Sequence, residues 1–237
     1  MIQAKFHWHP DFTSLIIFAV SMGFLEAIVV VYIRELYYPE GFAFPLKPLP
    51  EWFIGIEMVR ELCTLFMLGV VAFITGTVFI RRLEAFLFIF GVWDIVFYIA
   101  LWLFLDWPPS LLTWDILFLV PVAWTAPVLA PVLCSLTMIA LAGIMEWKHQ
   151  NTGLTKPGTI AMVLFGAGAM AILLTFISDF GRIIIQGNYL PQFFSLADNQ
   201  DFLNEMVIYT PKRFQWEIFF TGLLLILAGI FPLVKRL

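Results

Sequence analysis

Charge is what this sequence is short of. Asp, Glu, Lys and Arg make up 13% of its 237 residues, about half the share carried by a soluble globular domain. Basic residues number 13 against 17 acidic ones, and the net charge of −4 excludes the basic surface that nucleic acid needs. Of the two cysteines, Cys63 and Cys134, each falls inside an apolar run and reads as a small buried hydrophobe, so neither a disulfide nor a thiolate metal pair is expected. The three histidines, His7, His9 and His149, stand outside the apolar runs, which leaves a bis-histidine membrane haem without ligands. No haem or iron–sulfur cofactor is expected. His-Glu-x-x-His, Gly-x-Ser-x-Gly and phosphate-binding glycine loops are all missing.

What fills the chain instead is apolar: 62% of residues are hydrophobic and the mean hydropathy is +0.94. A helix rises about 1.5 Å per residue, so roughly 20 apolar residues cross the hydrocarbon of a bilayer. Six such runs predict an all-α polytopic membrane protein whose first partner is the lipid bilayer. The predicted spans are Phe12–Ile33, Trp52–Ile80, Leu83–Leu105, Ile116–Met145, Thr159–Ser178 and Ile218–Val234. The first run is longer than a signal-peptide core and no small-x-small cleavage pattern follows it, so it is read as an uncleaved span. Four prolines, Pro39, Pro45, Pro48 and Pro50, exclude a regular helix from the first linker. Pro121, Pro127 and Pro131 crowd the first half of the fourth run and predict a kinked or broken span there. Gly166 and Gly168 predict close helix approach on the fifth. An interfacial helix is expected near Asp198–Val207. Residues 1–150 are expected to form a four-helix core and 151–237 a two-helix hairpin with a long loop.

An even number of spans returns the chain to the side where it began. With the termini inside, the inner segments hold Lys5, Arg81, Arg82, Lys148, Lys156, Lys235 and Arg236, against Arg34, Lys47, Arg182, Lys212 and Arg213 outside. That bias favours cytoplasmic termini in a bacterial inner membrane.

The few charges inside the spans carry the functional reading. Glu57, Arg60 and Glu61 stand at i, i+3 and i+4, so one face of the second helix holds all three. Ionisable residues at membrane depth are expensive unless they meet partners or water. Glu26 on the first span and Asp94 on the third, with Tyr98 one turn beyond it, reach the same depth on this topology. Four acids and one arginine leave an excess of negative charge that a low-dielectric interior does not support. The excess is relieved by protonation of some carboxyls, by a bound cation or by water. Hard, oxygen-liganded cations such as Mg, Mn or Ca suit such a donor set. The broken fourth span, with Pro121, Trp124, Pro127 and Pro131, is expected to form a movable wall. A structural reading stands beside this one: Arg60 as a buried knot that fixes helix order. Glu146-x-x-His149 occurs once where a di-iron bundle needs two copies, and His7-x-His9 supplies only two ligands on a terminal segment.

The blocks SMGFLEAIVVVYIRELYYPEGFAFP, EMVRELCTLFML and GVWDIVFYIALWLFLDWPPSLLTWDILFLVPVAWTAPVLAP together resemble a recurring type of bacterial polytopic integral membrane protein. The resemblance turns on Glu26, Glu57, Arg60, Glu61, Trp93, Asp94, Trp114, Asp115 and Trp124 and covers the first four spans. It implies a bacterial membrane protein and, since the type has no assigned activity, no catalytic role. Three functions follow from the residues. The leading one is an outward-facing carboxylate and arginine site that binds or passes a proton, cation or small polar solute. The second is a non-catalytic subunit of a larger respiratory or photosynthetic membrane complex, with other membrane subunits as partners. The third is an intramembrane lipid-modifying enzyme using paired carboxylates, and it is the weakest because the chain has no diphosphate-binding motif. The balance leans against an enzyme.

Overall fold

Without water to bond to, an apolar run in a membrane must satisfy its backbone N–H and C=O groups internally, and the helix does so within one segment. The computed structural model, which describes residues 10–235, has six helices long and apolar enough to cross a membrane. These are α1 Pro10–Tyr37, α2 Glu51–Thr75, α3 Phe79–Leu105, α4 Leu129–Thr152, α5 Thr159–Gln186 and, after the short helix α6 Gln200–Ile208, α7 Trp216–Lys235. Large side chains such as Phe66, Phe73, Ile74, Val163 and Phe231 remain exposed along them, as lipid contact requires. Lys5, His7, His9 and Arg236 lie outside the described residues.

Helices α1 and α4 run on to Tyr37 and Thr152, which places His149, expected outside the spans, in the last turn of a helix. Besides these longer C-terminal ends, the expected spans differ from the helices in three ways. The second does not run to Ile80. It stops at Thr75, where Gly76 leaves the helix in extended conformation, and Phe79 opens α3. The turn is tight because a Cβ on Gly76 would stand 2.5 Å from Arg82 N, and Arg82 Nε donates to Gly76 O at 2.9 Å. Arg81 and Arg82 therefore belong to the first turns of α3 rather than to a loop. The fifth span continues past Ser178 to Gln186, carrying Asp179 inside the helix.

The third difference lies in the fourth span. Ile116–Pro127 is not a kinked helix but part of an antiparallel β-hairpin, β1 Trp114–Phe118 with β2 Trp124–Pro127. Each proline sits where its missing N–H is not needed: Pro121 in the turn, Pro127 at the end of β2, Pro131 in the first turn of α4. Helix α4 starts only at Leu129, and the residues just ahead of the hairpin satisfy its opening. Val128 N donates to Thr113 O at 3.0 Å and Leu129 N to Leu111 O at 2.7 Å.

The hairpin packs into the helix bundle. Asp115 meets Tyr98 of α3, while Phe118 packs on Trp93 and Phe90 with ring centroids 6.2 and 6.5 Å apart. From Tyr98 to Phe90 is about 12 Å along the helix, which brings the hairpin tip near the middle of α3. Non-helical backbone at that depth is tolerated where protein or a water-filled cavity surrounds it. Here it lies between α2, α3 and α5, with Trp124 stacked on Phe176 of α5 at 6.1 Å.

Helix α3 is the hub, packed against α1, α2 and α4, and α5 pairs with α7. Two close approaches set this arrangement. A Cβ on Gly91 would meet Ser135 O of α4 at 2.7 Å, and one on Gly168 would meet Gly222 O of α7 at 2.5 Å. The latter makes Gly168 the contact residue expected on the fifth span, whereas Gly166 has nothing within 4 Å of its Cβ position. On the side reached by the α1–α2 linker, a 3-10 run Leu190–Asp198 leads into α6, and Asn199 caps it by accepting from Phe202 N at 3.0 Å. A helix thus stands where an interfacial one was expected, shifted by about two residues at its start.

Candidate functional site

Helix period alone aligns Glu57, Arg60, Glu61 and Thr64 on one face of α2, and the structure turns that face toward α1 and the hairpin. Arg60 is the centre. Its Nε donates to Glu57 Oε2 at 2.8 Å and its Nη1 to Glu26 Oε2 of α1, while Nη2 lies 4.0 Å from Glu61 Oε1. Thr64 Oγ1 donates to the other oxygen of Glu26 at 2.6 Å. Glu61 instead receives a backbone donor from the hairpin, Leu119 N to Oε2 at 2.7 Å. Glu26, Glu57 and Glu61 are buried, and the Arg60 side chain retains 23% exposure.

Asp94 of α3 faces α4, where Ser135 Oγ donates to its Oδ2 at 2.7 Å. Tyr98, one turn along, is turned to a different acid: its hydroxyl donates to Asp115 Oδ2 at 3.2 Å. Asp115 also accepts from Arg34 Nη2 at 3.0 Å. The Arg34 guanidinium lies over the rings of Phe42, at 4.5 Å, and Trp107, at 3.8 Å, so a planar cation is held by π faces as well as by a carboxylate. This pair ties α1, the first linker and the base of the hairpin together.

Two cavities meet this cluster. The larger, about 590 Å³, lies on the linker side between α1, α2, the hairpin and α6, and Glu57, Arg60, Glu61, Arg34 and Asp115 are among its lining residues. The smaller, about 90 Å³, lies deeper and is lined by Glu26, Asp94, Tyr98, Trp93, Trp124 and Ser135 among others. Arg60 and Glu61 line both. At about 30 Å³ per molecule the deeper space holds roughly three waters. The indole N–H groups of Trp93 and Trp124, both residues of its lining, are buried without a hydrogen-bond partner.

Of the residues expected at the site, Glu26, Glu57, Arg60 and Glu61 come into direct contact. Asp94 and Tyr98 join them across the deeper cavity. Trp124 and Pro131 line that cavity too, whereas Pro121 is exposed at the hairpin tip and Pro127 is buried at the end of β2. Sequence reasoning did not bring Arg34 to Asp115, because 81 residues separate them and both sit at the ends of apolar runs. It also missed the Leu119 N–H, which no side-chain pattern announces. Cys63 is exposed on α2 rather than buried, and Cys134 is half-buried.

A second ionic group lies at the opposite end of the bundle. Arg81 pairs with Glu84 at 2.8 Å and with Glu146 of α4, and Gln150 Nε2 donates to Glu146 Oε1 at 2.6 Å. His149 Nδ1 lies 2.7 Å from Leu154 O, so Glu146 and His149 serve different partners. Lys148 Nζ donates to Val234 O at 2.6 Å, a cation at the carboxyl end of α7. These contacts fasten α3, α4 and α7. Among the described residues no three of His, Cys, Asp and Glu stand close enough to hold a metal ion.

The fold and the cluster define the class: a multi-pass integral membrane protein with charged residues and two cavities between its helices. In comparisons with known proteins, no family model, no curated protein and no solved structure matches the chain.

Proposed function

We propose that this protein binds or passes a proton, cation or small polar solute through the carboxylate and arginine site, with the larger cavity opening to the outside. The observation that carries the reading is the position of Glu61 and Arg60 as the layer common to both cavities. Around that layer five acids, Glu26, Glu57, Glu61, Asp94 and Asp115, face two arginines, Arg34 and Arg60. A buried excess of three carboxylates is stable only when protonated, hydrated or matched by a cation, so the site favours positive charge. In this reading Glu61 and Asp94 take up the charge in turn. Arg60 holds the first of them in place through its contacts with Glu26 and Glu57. The hairpin tip donates to Glu61 from a backbone that has no charge of its own to neutralise it.

The test is flux in proteoliposomes containing the full chain, read with an internal pH dye and with sodium or potassium gradients imposed. Wild-type protein is expected to dissipate an imposed proton or cation gradient, and Glu61→Gln to reduce the rate to that of empty vesicles. A Glu61→Gln protein with wild-type flux and wild-type pH response overturns the proposal.

A further inference from the structure

The larger cavity is more than an entrance for small ions. We propose that it is a binding site for an amphiphilic organic cation, whose charged group sits at Glu61 and whose apolar body lies against α1, α2 and α6. This deepens the reading above and rests on it.

Size argues first. A volume of about 590 Å³ falls in the range of roughly 300–1,000 Å³ typical of small-molecule sites, far beyond the need of a proton or a bare ion. Chemistry argues second. Val30 and Ile33 of α1, Phe53 and Ile54 of α2, and Leu203 and Met206 of α6 supply apolar wall on three sides. At the floor Arg60 bonds Glu26 and Glu57, and Arg34 bonds Asp115 through Nη2 while its Nη1 is buried without a hydrogen-bond partner. Glu61 is held by the hairpin backbone rather than by an arginine: Oε2 accepts from Leu119 N, the Val120 amide also bonds its carboxylate, and Arg60 Nη2 is 4.0 Å from Oε1, beyond hydrogen-bond distance. A cation placed there gains a charge-assisted contact with that carboxylate. Lys47, an exposed residue of the linker, also lines the cavity. A chelated metal ion lacks its cage, since no three metal-binding side chains cluster among the described residues. The deeper cavity, at about 90 Å³, is too small for an organic body. The amphiphile therefore stops at Glu61, where it competes with the proton or small ion that goes further.

The experiment is equilibrium binding of radiolabelled tetraphenylphosphonium to the purified full chain, with tetraphenylborate as a size-matched anion. Saturable binding is expected for the phosphonium and none for the borate. Glu61→Gln is expected to weaken it about tenfold, the loss of one charge-assisted contact. Ile54→Trp, which fills the wall and leaves every charge in place, is expected to weaken it at least as much and guards against a misfolded Glu61→Gln. Equal binding by wild type, Glu61→Gln and Ile54→Trp overturns the proposal, as does equal binding of the borate. Glu61-dependent proton or sodium flux without phosphonium binding removes the ligand class and keeps the ion reading. Glu61-dependent phosphonium binding without flux keeps this site and removes the passage step.

Discussion

Replacing Arg60 with leucine should expose how the cluster is held together. In the native protein its guanidinium bonds Glu57 and Glu26 and lies near Glu61, with 23% of the side chain exposed. Its removal leaves buried carboxylates without their shared cation, a change that costs about 3–5 kcal/mol when a buried pair loses one partner. The larger cavity reaches Glu57 and Glu61 and can hydrate them, so the lower end, about 3 kcal/mol, is the expected value. For a chain of this size each kcal/mol moves the melting midpoint by roughly 2–4 °C, which gives a fall of about 6–12 °C. Arg60→Leu combined with Glu26→Leu removes charge from both sides and should recover about half of that loss. The coupling in the double-mutant cycle should then be at least about 1.5 kcal/mol in magnitude, and larger by whatever Glu26→Leu costs alone. Thermal melts in one detergent at one scan rate, followed by the intrinsic fluorescence of the 9 tryptophans, measure all four proteins. A fall of less than 2 °C for Arg60→Leu, or strictly additive losses in the cycle, would refute the argument that Arg60 organises these acids.

Three further outcomes are expected. Gly168→Leu should lower the midpoint by about 5 °C, because its Cβ would stand 2.5 Å from the Gly222 carbonyl and overpacking costs roughly 1–3 kcal/mol; Gly166→Leu, with open space around it, should leave the midpoint unchanged in the same melts. Arg34→Lys should cost about 1–2 kcal/mol in chemical denaturation even though the charge is kept, since a lysine cannot lie flat between Phe42 and Trp107 while bonding Asp115. Tyr209, just past α6, donates to Asp179, and burial together with that carboxylate raises its pKa above the ordinary 10. A raised folded value means full stability below pH 10 and a loss as pH climbs beyond it, where the unfolded chain releases the proton and the folded one retains it. Melting midpoints between pH 9 and 11 should therefore fall more steeply for the native protein than for Tyr209→Phe, and parallel curves would contradict this.

The helices were legible because lipid forces one solution on a long apolar run, and the acidic face of α2 was legible because 3.6 residues per turn fix which side chains align. Contacts between helices were legible only where a special residue advertised them. Gly168 marked the approach of α5 to α7, and the charges marked the approach of α2 to α1. The Arg34–Asp115 pair had no such signal, since a charged residue at the end of a run reads equally well as an interface anchor. Lengths were misread where apolar composition outlasted the element. Thr75 to Ile80, TGTVFI, has no charge or proline to end a span, yet the chain turns at Gly76 and starts a new helix.

The hairpin shows the limit of that kind of reading most clearly, and it alters what the site is. Its sequence, WDILFLVPVAWTAP, is apolar enough to pass for half a span, and strands of four and five residues are too short to show a period-2 pattern against that background. Three prolines were correctly read as incompatible with a continuous helix, but a broken helix and a hairpin remove the same backbone donors and differ only in what covers the remainder. Here the remainder is covered by α2, α3 and α5, and the amides of Leu119 and Val120 at the hairpin tip are spent on Glu61. A backbone donor steadies a carboxylate without cancelling its charge, as a second arginine would have done. The irregular backbone is thus what allows Glu61 to be held between the helices by amides rather than by a second arginine.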